Sequence, residues 1–232
     1  MRIIRKSCAQ GAGEAVGTAV IIDVFRAFSC LPLFFHYGAR GVILEADPEK
    51  AVAVKRDHPE FILVGEVNEV PIEGADLGNS PSEIISRGEA YFKEKTVVHR
   101  TTAGVTGAAA ALDGADEVLL TGFLTAKAVA RYIQRTRADL VTLVAMGEKG
   151  ERKAPEDEAC ADYLEHLLTG RPYDSIKALK EIVFQPTAQK FIAGTKKYLP
   201  REDPIFCLQR DIFDFVLTAK KEADRIIVST VS

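Results

Sequence analysis

The four cysteines of this 232-residue chain, Cys8, Cys30, Cys160 and Cys207, lack the spacing of a disulfide framework or a metal finger. None has an arginine six positions on, so the phosphate loop of the cysteine phosphatases is excluded. They read as small buried residues. There is no glycine-rich loop ending in Gly-Lys-Ser/Thr, and no Gly-x-Gly-x-x-Gly follows a strand, which removes two common nucleotide-binding fingerprints. No apolar run approaches the roughly 18 residues that cross a bilayer. The opening Met1-Arg2-Ile3-Ile4-Arg5-Lys6 is not followed by a signal-like apolar core, so the expected location is the cytoplasm, away from membranes. An excess of positive charge is also missing: the net charge is −3, which argues against nucleic acid as a main partner.

What is present is a packed core: 47% of residues are hydrophobic and 27% charged. The run Thr18-Ala19-Val20-Ile21-Ile22-Asp23-Val24 reads as a strand buried on both faces and ending in an acid. Further strands are expected at 41–46, 61–64, 96–99, 117–121, 140–146 and 225–230. Helices are expected at 26–37 (stopped by Gly38), 48–56 (capped by Asp47), from Pro81, and at 101–112, 125–137 and 155–168. Strands alternating with helices imply an α/β fold, a three-layer α/β/α arrangement with a mostly parallel sheet. No linker divides the chain, so residues 1–232 read as one domain, with a mainly helical segment at about 171–215 whose role the pattern does not give.

The stretch Asp76-Leu77-Gly78-Asn79-Ser80-Pro81-Ser82-Glu83 reads as a loop running into a helix, either an ordinary capped helix after a surface loop or a place for an anion. Ser80 suits the N-cap, Pro81 the first helical position, and Glu83 completes a capping box. Such a helix start offers free N–H groups to an anion. Asp76 and Glu66 nearby would repel that anion unless a cation stood between them. In open parallel sheets ligands sit beyond the carboxyl ends of strands. Those ends carry Asp23, Arg26 and Ser29; Glu66, leading on to Asp76, Asn79 and Ser80; His99, Arg100, Thr101 and Thr102; Thr121, Gly122 and Thr125; and Gly147, then Glu156 and Asp157. Acids, hydroxyls and an arginine together suit a phosphate with a hard cation such as magnesium.

Each piece also has a structural reading. Asp23 and Arg26 would satisfy each other as a buried pair. Thr101 and Thr102 would cap the next helix. Glu156, Asp157 and Glu158 fall in a helical first turn that favours acids. His99 reads as structural, or as a proton donor. Glu14, Glu49, Asp57, Glu148 and Lys149 read as solvated charges.

These residues also carry a family resemblance. Ile21-Ile22-Asp23-Val24-Phe25-Arg26-Ala27 resembles the Ile-Asp-Val-Leu-Arg-Ala opening of the 2-phosphosulfolactate phosphatase family. Gly65-Glu66 and the run from Asp76 to Pro81 are similar to that family's most distinctive segment. Thr101-Thr102-x-Gly104 resembles its Thr-Thr-Asn-Gly motif, and Glu156-Asp157 with Cys160-Ala161 its Glu-Asp segment. The resemblance implies that family's α/β three-layer fold and a magnesium-dependent phosphatase acting on (2R)-2-phospho-3-sulfolactate, a step toward coenzyme M. Two positions depart from it: Ala103 replaces the asparagine after the paired threonines, and Thr125 stands where asparagine is common.

Put together, Asp23, Glu66, Asp76, Glu156 and Asp157 are the expected magnesium ligands, some through water. Arg26, Asn79, Ser80, Thr101, Thr102 and Gly104 are expected around the phosphate of a small phosphorylated acid, and Arg100 beside a second anionic group on it, a sulfonate among the options. Attack by water and attack by Asp23 both remain open; Phe25, where aspartate-nucleophile phosphatases carry a second acid, tilts the choice toward water. The alternatives are a phosphatase for another short phosphorylated acid, and a non-catalytic relative that binds a small anion. Pairing into a homodimer is expected only as the common habit of such domains.

Overall fold

Strand and helix order follows the apolar patterning closely. The computed structural model describes residues 1–231. In chain order the elements are β1 (Arg2–Ser7), α1 (Cys8–Gly13), β2 (Thr18–Ile22), α2 (Ala27–His36), β3 (Gly41–Leu44), α3 (Pro48–Asp57), β4 (Ile62–Val67), β5 (Val70–Pro71), α4 (Pro81–Arg87), α5 (Glu89–Phe92), β6 (Thr96–Arg100) and α6 (Gly104–Ala111). There follow β7 (Glu117–Thr121), α7 (Ala126–Thr136), β8 (Leu140–Ala145), α8 (Pro155–Thr169), α9 (Ser175–Val183), α10 (Pro186–Ile192), α11 (Asp203–Cys207), β9 (Val216–Glu222) and β10 (Arg225–Val231).

The capping residues behave as their chemistry dictates. Asp47 accepts from the N–H groups of Glu49 and Lys50 at 2.9 and 3.3 Å, and Ser80 accepts from Glu83 N–H at 3.4 Å. The expected capping box is rearranged, however. Glu83 accepts from Gly78 N–H at 3.0 Å, because Ser80 N–H already donates to Gly78 O.

All ten strands form one sheet in the order β1-β8-β2-β7-β9-β10-β3-β6-β4-β5. It contains two parallel blocks, β1-β8-β2-β7 and β3-β6-β4, joined by the antiparallel hairpin β9–β10. Every residue of β2 is buried, as its unbroken apolar run requires of a central parallel strand. Its alternate side chains separate cleanly. Ala19 and Ile21 join a core with α1, α2, α4 and α6 on one face. Val20 and Ile22 join a second core with α7, α8, α9 and α10 on the other. On that side of the second block, α3 packs over Ile43, Leu63 and Val98. The result is three layers, α/β/α.

Because the central hairpin reverses direction, the two parallel blocks run opposite ways along the sheet. Twist of roughly 20–25° per strand over the five steps from β2 to β6 turns the later strands by about 110°. That rotation lets the carboxyl ends of both blocks approach the same cleft.

Several elements differ from the sequence reading. β1, β5 and β9 are additional strands, and α1 and α5 are additional helices. β1 is an edge strand, exposed or half-buried along its length and without a clear apolar face, and β9 ends in the exposed Lys220–Glu222 end of a hairpin. β4 runs on through Glu66, which pairs with Pro71, so Glu66 is held inside a strand rather than beyond one. Among the described residues no helix is long and apolar enough to cross a membrane.

Candidate active site

The carboxyl ends of the two blocks and the start of α10 enclose a small cleft of about 60 Å³, lined by Asp23, Arg26, Glu66, Asn79, Thr101, Thr102, Ala103, Gly147, Glu156 and Asp157 together with Asn68, Glu69, Lys149, Thr187, Lys190 and Phe191. Asp23 sits at its centre. The residue follows an apolar strand, so its carboxylate is drawn into the sheet end, and Asp23 is only 6% exposed. Ala27 N–H donates to its Oδ1 at 3.2 Å. Burial, and then Glu66 and Glu156 facing it, push the Asp23 carboxyl up to about 7. The approach of α6 is equally close: a Cβ on Gly104 would lie 2.8 Å from Asp23 Oδ2 and 2.9 Å from Ala27 Cβ, so only glycine fits there.

Backbone donors fix the other acids. Asp157, in the first turn of α8, accepts from Val24 N–H and Gly147 N–H, each at 2.7 Å. Gly147 adopts φ +69, and a Cβ there would strike Arg152 O, so the turn that aims its N–H needs glycine. Glu66 accepts from Thr102 N–H at 2.6 Å, from Thr102 Oγ1 at 3.1 Å, and from Glu69 N–H. Glu156 accepts from Thr187 Oγ1 at 2.8 Å. Burial raises the carboxyls of Glu156 and Asp157 also, and the charges of Asp23 and then Glu156 add to the effect on Asp157. Glu158, one position on, faces outward to Arg5 and Ser7.

Arg26 is 4% exposed and borders the same cleft. Its Nη1 donates to Asp203 Oδ2 at 2.8 Å and to Tyr198 O at 3.0 Å. Asp23 and Arg26, three residues apart, therefore do not pair with each other. Asn79 Oδ1 accepts from His99 Nε2 at 3.0 Å. His99 is wholly buried, edge-on to Phe34, and burial lowers its pKa to about 3, so it is a neutral anchor for Asn79 and not a proton donor. Thr101 Oγ1 accepts from Val105 N–H at 3.3 Å, capping the first turn of α6 while lining the cleft.

Four expected residues are placed elsewhere. Asp76 lies apart from the cleft: its Oδ2 accepts from Leu63 N–H at 2.7 Å and pairs with Lys55 Nζ at 2.9 Å. Its position in the sequence put it near Asn79, but the chain turns between the two. Ser80 points its hydroxyl at Asp203 Oδ1, 2.9 Å away, so the helix start expected to receive a ligand anion is filled by the protein's own carboxylate. Arg100 does not line the cleft; it donates to the backbone oxygens of Ala46 and Glu66 and to Thr102 Oγ1, bracing the strand that holds Glu66. Thr125 is buried against Thr121, their hydroxyls 2.8 Å apart, so of the two departures from the family motifs only Ala103 faces the cleft.

The family's sequence model, described as 2-phosphosulpholactate phosphatase, matches residues 5–222. The chain belongs to the 2-phosphosulpholactate phosphatase family. A Bacillus subtilis protein named probable 2-phosphosulfolactate phosphatase is 30% identical over 208 residues, covering 88% of each chain. Proteins of the same name from Caldanaerobacter subterraneus and Clostridium perfringens are 33% and 28% identical, covering 85% of each chain, and 92% of this chain with 90% of the relative.

Within this family fold the residues that sequence reasoning missed come mostly from the 171–215 segment: Thr187, Lys190 and Phe191 on α10, and Asp203 on α11. No local motif marks them, and each meets its partner across more than a hundred residues or through a helix of ordinary composition, as with Arg26 and Asp203, Glu69 and Lys190. Lys149 also borders the cleft, although it reads as a surface charge in the sequence. Glu69 was within reach of the sequence, being three residues from Glu66.

The donor set suits a hard cation in an open site. Asp23, Glu66, Glu156 and Asp157 are oxygen ligands that raise one another's cost of ionisation, and the nearby cations Arg26 and Lys190 already face Asp203 and Glu69. Among the described residues no group of three or more acids, histidines or cysteines is placed to hold a metal ion, so no more than two of these acids would bind one directly. A site with one or two direct carboxylates, the rest of the shell being water and phosphate, is the arrangement magnesium prefers.

Proposed function

We propose that the protein is a magnesium-dependent phosphatase that hydrolyses a short phosphorylated hydroxy acid bearing a second anionic group. The substrate suggested by the relatives' names is 2-phospho-3-sulfolactate, giving sulfolactate and phosphate. The observation that carries the reading is the convergence on one cleft of the Asp23-centred acids with Arg26. The family match gives it a reaction.

Asp23 and Glu156 would hold the magnesium, with Glu66 and Asp157 reaching it through water. These last two already have both oxygens engaged by backbone or hydroxyl donors. Bound there, the cation would offset phosphate charge and make its bound water more acidic.

The protein's own groups do the rest. Arg26 Nε and Nη2 make no hydrogen bond among the described residues, so the open side of the guanidinium is free to fork onto two phosphate oxygens. Asn79, its oxygen taken by His99, turns its amide N–H groups to the phosphate, and the Thr101 hydroxyl completes the cradle. Asp23 holds the attacking water by accepting its hydrogen. Phe25, where aspartate-nucleophile phosphatases carry a second acid, favours this water-holding role of Asp23 over direct attack. Lys149 at the mouth supplies counter-charge for the sulfonate or carboxylate of the substrate, the role that sequence reading gave to Arg100.

The test is phosphate release from phosphosulfolactate, other phosphorylated hydroxy acids and an aryl phosphate, each with and without magnesium. Turnover that requires magnesium and prefers substrates with a second anion supports the reading. Binding of phosphate without turnover of any substrate would favour the non-catalytic anion-binding alternative.

A further inference from the structure

The Asp203 carboxylate of α11 is completely buried, and its two oxygens face different parts of the protein. Oδ1 accepts from Ser80 Oγ at 2.9 Å, Ser82 N–H at 3.0 Å and Ser82 Oγ at 2.7 Å, which fills the start of α4. Oδ2 accepts from Arg26 Nη1 at 2.8 Å. Tyr198 O holds the same Nη1, and the Phe191 ring lies 5.2 Å beneath the guanidinium carbon. Three groups from the 171–215 segment thus fix one side of Arg26, and nothing among the described residues hydrogen-bonds its other side.

We propose that Asp203 is a positioning residue. It locks the Arg26 guanidinium so that Nε and Nη2 face the cleft, and it couples docking of the 171–215 segment to phosphate binding. The physical case rests on geometry. A free arginine side chain loses much rotamer freedom when it is fixed on a ligand, and a fork already held on one edge loses less per bond formed. A carboxylate can hold Arg26 with one oxygen while serving the two serines with the other; an amide has only one acceptor oxygen and cannot do both. Asp203 itself need not touch the substrate. The inference deepens the phosphatase reading and rests on it for the identity of the bound group.

A double-mutant cycle tests it. Asp203→Asn, Arg26→Ala and the pair are compared by kcat/KM for phosphate release and by the inhibition constant of inorganic phosphate, with thermal melting to follow folding. Ser82→Ala, which removes an Oδ1 donor and leaves Oδ2 on Arg26, is the structural reference. The expected result is that Asp203→Asn lowers kcat/KM at least about tenfold and weakens phosphate inhibition by a similar factor. In the Arg26→Ala background the same change should cost less than about twofold. Ser82→Ala should lower the melting temperature and leave phosphate inhibition within about twofold of wild type. Equal losses in both backgrounds, or an unchanged phosphate inhibition constant in Asp203→Asn, would overturn the proposal. If Asp203→Asn does not fold, Asp203→Glu, which keeps the charge but displaces the carboxylate, takes its place with the same criteria. Should the wild-type protein release no phosphate from any substrate, the phosphatase reading fails by itself; the cycle is then read from thermal-shift titrations with inorganic phosphate, and a wild type that binds no phosphate overturns both.

Discussion

His99 Nε2 lies 3.0 Å from Asn79 Oδ1, in a pocket where the other ring nitrogen, Nδ1, has no partner among the described residues. The ring must be neutral to be buried this way, with its proton on Nε2. In the unfolded chain it gains a proton below its usual 6.5, whereas the folded protein resists protonation down to about 3. The unfolded state therefore binds more protons across that window, and stability falls as pH drops from about 6.5 toward 3. The size of the effect is on the order of several kcal/mol. Urea unfolding of wild type and His99→Gln at a series of pH values checks it: the wild-type advantage should shrink steadily below pH 6.5.

Asp23 gives a slope of the opposite sign. Its folded carboxyl keeps a proton up to about 7, while in the unfolded chain it is lost near 3.8. Without a divalent cation this group favours the folded state below about 3.8, and that contribution is lost as pH rises through 7. A cation competes with the proton, so added magnesium should raise the melting temperature more at pH 8 than at pH 5. Thermal melts with magnesium and with a chelator make the comparison, and an equal shift at both pH values would count against a cation at Asp23.

Asp76→Ala separates a structural acid from the cluster. Losing the carboxylate leaves Leu63 N–H without its acceptor and Lys55 without its partner, an expected cost of about 1–3 kcal/mol. The kcat/KM for phosphate release should stay within about twofold of wild type. A large loss of activity at unchanged stability would return Asp76 to the site.

How far the sequence could be read is visible in this contrast. Asp23, Glu156 and Asp157 are legible because each follows an apolar strand or opens a helix at a strand end, positions fixed by layer packing; Glu66 is legible from the same kind of apolar run, although β4 carries on through it. Asp76 shares its motif with Asn79 and Ser80, but adjacency along the chain does not survive a turn. Ser80 caps the helix start as its sequence position implies, but the group received there is the carboxylate of Asp203, more than a hundred residues away, and not a ligand anion. Long-range pairs of that kind leave no periodic trace. The strand pattern identified the α/β/α layers because buried parallel strands are continuous apolar runs; β1 and β9 escaped because edge and hairpin strands expose one side and carry charges.

Gly104→Ala places a methyl carbon against Asp23 Oδ2 and Ala27 Cβ. The packing cost of such an insertion is typically about 1–3 kcal/mol. Turnover should fall more than stability explains, since the carboxylate must move. Circular dichroism melts alongside phosphate release would show this; unchanged turnover would mean that Asp23 tolerates displacement.

Lys149→Ala removes an exposed cation at the mouth of the cleft. For a substrate with a second anionic group, KM should rise roughly fivefold, about 1 kcal/mol for a solvent-exposed ion pair. For an aryl phosphate it should barely change. An equal rise for both substrates would place Lys149 on the phosphate instead.

Central to the account is that the acids around Asp23 share the cleft with phosphate through a cation. Isothermal titration of phosphate into the protein, with and without magnesium, tests this most directly. The account predicts that magnesium tightens phosphate binding at least about tenfold, that phosphate tightens magnesium by the same factor, and that Asp23→Asn removes the coupling. Phosphate affinity that is the same with and without magnesium would contradict it.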